Sequence, residues 1–109
     1  MTDSGHSATL REIVTSLERL PSGDRYEPGP TIFAKKPWST DSLAIVLQED
    51  AVDGVAPGQP GFSYFLEVEI AKDVIRVWSS WRGGAEPTPE QAVRAAIHYA
   101  ENDAYEPAG

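Results

Sequence analysis

The chain contains no cysteine. That removes disulfides, thiolate metal sites, iron–sulfur clusters and a thiol nucleophile, and it fits a reducing compartment. Histidine is scarce as well: His6 and His98 are the two in the sequence. His6 falls in an N-terminal stretch (1–6) expected to be disordered, as is 107–109, so no two-histidine metal site is expected and no metal or cofactor is assigned. No apolar run approaches the ~18 residues that a membrane span requires. The segment Met1 to Leu10 lacks the basic stretch and apolar core of a secretory signal, so a soluble cytoplasmic protein is expected, without membrane contact. Gly-x-Ser-x-Gly, His-Glu-x-x-His, the phosphate-binding Walker loop and Gly-x-Gly-x-x-Gly are all missing. No catalytic residue is therefore assigned.

Positive charge is also in short supply. Nine basic side chains stand against 17 acidic ones in 109 residues, a net charge of −8. The imbalance is regional: Met1 to Lys36 is neutral, whereas Pro37 to Gly109 carries twelve acids against Lys72, Arg76, Arg82 and Arg94. A field of this sign opposes phosphate contacts, which supply most nucleic-acid affinity, so nucleic acid is not an expected partner. A basic protein partner is permitted. The plainer reading is that the charge keeps a small domain in solution.

The length suits one domain, 1–109, which buries roughly 65% of its unfolded surface without metal or disulfide. Thr9-Leu10-Arg11-Glu12 has the form of a capping box, and Leu10, Ile13, Val14, Leu17 and Leu20 then form one apolar stripe. A helix is expected from Leu10 to Leu20, stopped by Pro21-Ser22-Gly23-Asp24. Tyr26 to Pro30 reads as a connection. Strands are expected at about 31–35, as an edge strand, at 43–48, where the apolar run suits a strand covered on both faces, and at 62–70. In the last, Phe62, Tyr64, Leu66, Val68 and Ile70 alternate against Ser63, Phe65, Glu67 and Glu69. Between the second and third strands lies a loop of about a dozen residues, longer than most.

Residues 71–82 admit two readings. Val74, Val77, Trp78 and Trp81 are at helical spacing, with Arg82 and Gly83-Gly84 suited to a helix end. A hairpin across Lys72-Asp73 competes, but that pair lacks the glycine or asparagine of a two-residue turn, and helix is favoured. The last helix begins with Thr88 as N-cap, Pro89 at the first position and Gln91 completing a capping box. Ala92, Val93, Ala96, Ile97, Ala100 and Ala104 form its inward stripe, and Arg94, His98, Glu101 and Tyr105 share another face until Pro107 ends it. The expected fold is α+β: a small antiparallel sheet of about three strands against an N-terminal helix and two C-terminal helices, in two layers.

Three constellations carry functional expectations. Glu49, Asp50 and Asp53 gather carboxylates in the long loop; they lack the spacing of a calcium loop, and a solvated acidic loop is the simpler reading. Trp78, Trp81 and Arg82, joined by Trp38 and Tyr64, have the residue types of interface hot spots, although two Trp on an inward stripe are more often core. Glu101, Asp103, Tyr105 and Glu106 follow His98 and Tyr99 near the last helix end, where acids oppose the helix dipole. The leading function is a non-enzymatic binding protein that presents these acids to a basic protein partner, with Trp38 supplying affinity. A rival is a small enzyme or ligand-binding domain using His98 with Glu101 or Asp103 near Trp78 or Trp81. A third is self-association, as a homodimer, through the Trp-bearing helix.

The segments Pro37-Trp38-Ser39-Thr40-Asp41-Ser42, Tyr64-Phe65-Leu66-Glu67-Val68 and Tyr99-Ala100-Glu101-Asn102-Asp103-Ala104-Tyr105 together resemble a family of small uncharacterised bacterial proteins, domains of unknown function. The likeness spans roughly residues 8 to 106 and implies no activity. In composition alone the chain is also similar to bacterial immunity proteins, which neutralise toxic nucleases through a negatively charged surface. That second likeness implies an inhibitor of a basic protein.

Overall fold

Helix and strand propensities along the chain resolve into an α+β fold in a computed structural model, which describes residues 8–21 and 29–105. The tails 1–6 and 107–109, Glu106, and most of the connection from Tyr26 lie outside the described residues. The order is β1 (Ala8–Thr9), α1 (Leu10–Val14), a 3-10 turn (Leu17–Arg19), β2 (Thr31–Ala34), β3 (Leu43–Leu47), β4 (Val55–Ala56), β5 (Gln59–Glu67), α2 (Val68–Ser80) and α3 (Pro89–Asn102). The sheet is antiparallel in the order β1-β3-β2-β5-β4, so β2, expected at an edge, is the central strand, paired on both sides and buried throughout. The sheet has five strands instead of about three.

The extra strands come from segments read as cap and loop. Ala8 and Thr9 pair with Ala44 and Leu43 before Thr9 caps α1. In the long connection, Asp53 and Gly54 both have positive φ (55° and 77°), the backbone of a two-residue hairpin turn, and Val52 bridges Val55 across them. Pro57-Gly58 then turns β4 into β5, with Gly58 at φ 73° and Ala56 opposite Gln59. The expected loop of a dozen residues is thus two tight turns and a strand.

The N-terminal helix is shorter than its apolar stripe. Its capping box forms, with the Thr9 amide donating to Glu12 Oε1 at 2.9 Å and the Glu12 amide to Thr9 Oγ1 at 3.2 Å. The Thr15 hydroxyl then donates back to the Arg11 carbonyl at 2.8 Å, and the α-helical run gives way to a 3-10 turn. Leu10, Ile13, Val14 and Leu17 are buried nonetheless. The stripe survives the break.

β5 departs from strict alternation. Ile32 pairs with Leu66 but Phe33 with Tyr64, so Phe65 is the extra residue of a bulge. The bulge lets Phe65 and Leu66 both enter the core (1% and 3% exposed), while Tyr64, expected inside, is 36% exposed. The strand also ends at Glu67, three residues early. Val68, Ala71, Val74 and Trp78 are buried at helical spacing, and the Val68 amide donates to the Pro30 carbonyl at 3.0 Å. Residues 71–80 are helical, as favoured, and the helix starts earlier.

The register sorts the sheet into two faces. Ile32, Ala34, Ala44, Phe65 and Leu66 form the main core with the helices, including Leu10, Val14, Val68, Val93 and Ala96. Each fully buried Val, Leu, Ile or Phe among them contributes about 1.5–3 kcal/mol relative to exposure. On the other face, Phe33, Ile45, Ala56 and Phe62 form a second cluster, flanked by Leu47 and Ala51. The β3 run therefore has buried residues on both faces, although Leu43 at its start is 45% exposed. No helix among the described residues is long and apolar enough to cross a membrane.

Candidate functional site

α3 positions most of the residues of interest, and its capping box fixes its start. The Thr88 amide donates to Gln91 Oε1 at 2.9 Å and the Gln91 amide to Thr88 Oγ1 at 3.1 Å. The Arg11–Glu90 salt bridge (3.1 Å) ties this end to α1. Ala92, Val93, Ala95 and Ala96 are buried. The small residues let α3 lie close against the sheet and α2.

The far end of α3 stops earlier than expected. Asp103 takes the left-handed conformation (φ 56°, ψ 36°), and its amide donates to the Tyr99 carbonyl at 2.7 Å. Tyr105 therefore does not share a helical face with Arg94, His98 and Glu101. It folds back onto Tyr99 (ring centroids 5.1 Å) and meets Trp81 edge to face at 5.9 Å. An aromatic ridge results at the surface between the ends of α2 and α3, with Trp81 50% exposed.

Trp78 plays a different part. It is 6% exposed, packed with Val74 and Ala95, and its indole N–H is without a hydrogen-bond partner among the described residues. The Arg82 guanidinium covers its ring at 4.3 Å and donates to the Trp78 carbonyl at 3.1 Å. Trp78 anchors the core while Trp81 is half exposed.

Among the described residues His98 contacts Asn102 and no carboxylate. Asn102 Nδ2 donates to the His98 carbonyl at 2.9 Å and lies 3.5 Å from His98 Nδ1. Trp78 and Trp81 are occupied with Arg82 and Tyr105 instead. The described contacts do not assemble the His98–carboxylate–tryptophan pocket that the enzyme reading requires.

Trp38 is half-buried on the β2–β3 connection. Its indole N–H donates to the Ala34 carbonyl at 3.2 Å and its ring stands edge-on to Phe65 at 4.9 Å. The turn beneath it is held by Ser42, whose hydroxyl donates to the Pro37 carbonyl (3.1 Å) and accepts from the Ser39 amide (2.8 Å); the Lys36–Pro37 peptide is cis. Trp38 lines an open cleft of about 710 Å³ with Lys36, Pro37, Ala100 and Glu101. Lys36 was not singled out in the sequence, and Ala100 only as part of the inward stripe of the last helix. Neither carries a functional signal until the fold places them.

The acids fall into separate groups. Glu49 and Asp50 are exposed on the β3–β4 connection, and Asp53 occupies the hairpin turn there. Among the described residues no three of His, Cys, Asp and Glu gather closely enough to hold a metal ion. On α2, Arg76 pairs with Asp73, and Lys72 Nζ donates to the Leu20 carbonyl at 2.6 Å. The last turn of α3, by contrast, contains no base, and Glu101 and Asp103 are exposed there.

Tyr64 reports on this end. Burial pushes its phenol above the ordinary value, and the Glu67 carboxylate adds to the shift. A hydrogen bond with the Glu67 backbone acts in the opposite sense, and Tyr99 and Asp103 contribute further small increases. No protein-family model matches the chain, and neither a curated protein nor a solved structure shows significant similarity to it.

Proposed function

We propose that the protein is a non-enzymatic binding protein that docks a basic protein partner, in the manner of an immunity-type inhibitor, at the C-terminal end of α3. The supporting observation is the coincidence there of an exposed aromatic ridge, Trp81 on Tyr105, with Glu101 and Asp103 in a turn lacking any base. Acids in a helix's last turn oppose its dipole at a cost of roughly 0.3–1 kcal/mol each, so they do not serve the helix. Aromatic side chains in such a setting supply affinity, and surplus negative charge speeds encounter with a basic surface. Glu101 also lines the cleft that holds Trp38, which sets a second aromatic side chain near this carboxylate. Glu49 and Asp50 add to the long-range field without contacts to this end.

Immobilised protein incubated with extract of its own cells tests the reading. A basic protein retained at low salt, released at high salt and lost with Trp81→Ala or with Glu101→Gln plus Asp103→Asn is the expected result. No retained protein, or retention indifferent to salt and to these substitutions, refutes it.

A further inference from the structure

The cleft between the β2–β3 connection and α3 is lined by an aromatic side chain from the one and a carboxylate from the other. The Trp38 indole is immobilised by its bond to the Ala34 carbonyl and by the edge contact with Phe65. Its ring already accepts a cation, since the Lys36 ammonium stands 4.9 Å from the centroid. Glu101 lines the same cleft. Yet Lys36 and Glu101 do not close on each other: among the described residues the salt bridges are Arg11–Glu90 and Arg76–Asp73. A cation-accepting ring held in place therefore shares a cleft with a carboxylate that makes no ion pair among the described residues.

We infer that this cleft receives one arginine side chain of a basic protein partner, the guanidinium replacing the Lys36 ammonium on Trp38 while the Glu101 carboxylate accepts its N–H groups. The inference rests on the docking reading above and names the contact at its Trp38 flank. Arginine fits both walls: its plane stacks on an indole, and its fork of donors matches a carboxylate, whereas an ammonium is a compact point charge that prefers water. Lys36 is exposed, so its flexible chain moves into solvent at little cost. The net charge of −8 favours entry of a cation and disfavours an anion.

The test follows the Trp38 indole N–H resonance of the ¹⁵N-labelled full chain, assigned by its loss in Trp38→Phe, during titration with blocked Gly-Arg-Gly and Gly-citrulline-Gly peptides. Saturable shifts with the arginine peptide and none with citrulline are expected. Lys36→Ala removes the internal occupant and tightens binding roughly two- to fivefold, the range of one exposed cation–π contact. Lys35→Ala makes the same change of charge one residue away, where Lys35 lies over Phe62, and leaves affinity unchanged. Glu101→Gln weakens binding severalfold. Equal responses to both peptides, equal effects of Lys35→Ala and Lys36→Ala, or indifference to Glu101→Gln overturn the assignment. Partner capture that depends on Trp81 but comes without an arginine response at Trp38 removes the cleft assignment and leaves the docking reading standing.

Discussion

Trp81 and Tyr105 meet edge to face, with ring centroids 5.9 Å apart and planes at 78°, across the gap between the end of α2 and the residues after α3. The contact holds one partly exposed aromatic ring against another instead of burying either. Trp81→Ala is expected to weaken partner capture by about 2 kcal/mol or more, as for an interface hot spot. Its effect on thermal unfolding is small by comparison, because half of the side chain is already in water. Capture assays and melting curves on the same variant separate the two.

Asp103 adopts a left-handed conformation that glycine takes without steric cost. Asp103→Gly is expected to raise stability by up to about 1 kcal/mol, by relieving that strain and removing an acid from the negative end of the helix. The same substitution is expected to reduce capture of the basic partner. Urea unfolding measured beside capture shows whether stability and binding move in opposite directions.

Trp38 is fixed by one hydrogen bond and one aromatic edge. Trp38→Phe loses the bond to the Ala34 carbonyl and is expected to cost about 1–2 kcal/mol, including the acceptor left unpaired. Trp38→Ala also opens space beside Phe65 and is expected to cost ~3 kcal/mol or more. Equilibrium unfolding in urea gives both values.

At alkaline pH the Tyr64 phenol holds its proton more tightly in the folded chain than in the unfolded one, because burial and the Glu67 charge disfavour the phenolate. Below a pH of about 10, the unfolded value, both states are protonated and this contribution to stability is fully present. As pH rises from there through the raised folded value, the unfolded chain releases its proton first and stability falls. Tyr64→Phe is expected to flatten that decline, as measured by unfolding at several alkaline pH values and by ultraviolet titration of the phenols.

The Thr88 capping box satisfies two amides at the start of α3. Thr88→Ala is expected to cost about 1 kcal/mol. Because the box fixes the start of α3, amide exchange should quicken in the first turns of the helix after Pro89 in this variant. Fluorescence-detected unfolding checks the magnitude.

Features encoded by local chemistry were legible in the sequence. Both capping boxes and the start of α3 at Pro89 rest on side chains that bond to amides three residues away, and spacing reveals them directly. The Phe65 bulge was not legible, since the alternation from Phe62 to Ile70 satisfies a strand at every position until Phe33 pairs with Tyr64. Val68 and Ile70 fit a strand by twos and a helix by threes and fours; packing against the core decided for the helix. Asp53-Gly54 carried a hairpin signal that its acidic neighbours obscured. At the candidate site, Trp81 and Tyr105 were visible as residue types, but their contact depends on a reversal at Asp103 that no periodicity announces. Lys36 acquires meaning only from the place of Trp38.

The cleft that joins Trp38 to Glu101 draws its walls from distant parts of the chain. The hairpin of β2 and β3 closes locally, whereas Ala100 and Glu101 reach it only after β5, α2 and α3 have docked, and such long closures are the slow ones. The aromatic wall is thus carried by a local hairpin and the acidic one is brought to it only by long-range packing. A chain ending before α3 presents Trp38 without Ala100 and Glu101 beside it, so the arginine contact inferred above requires α3 to be in place.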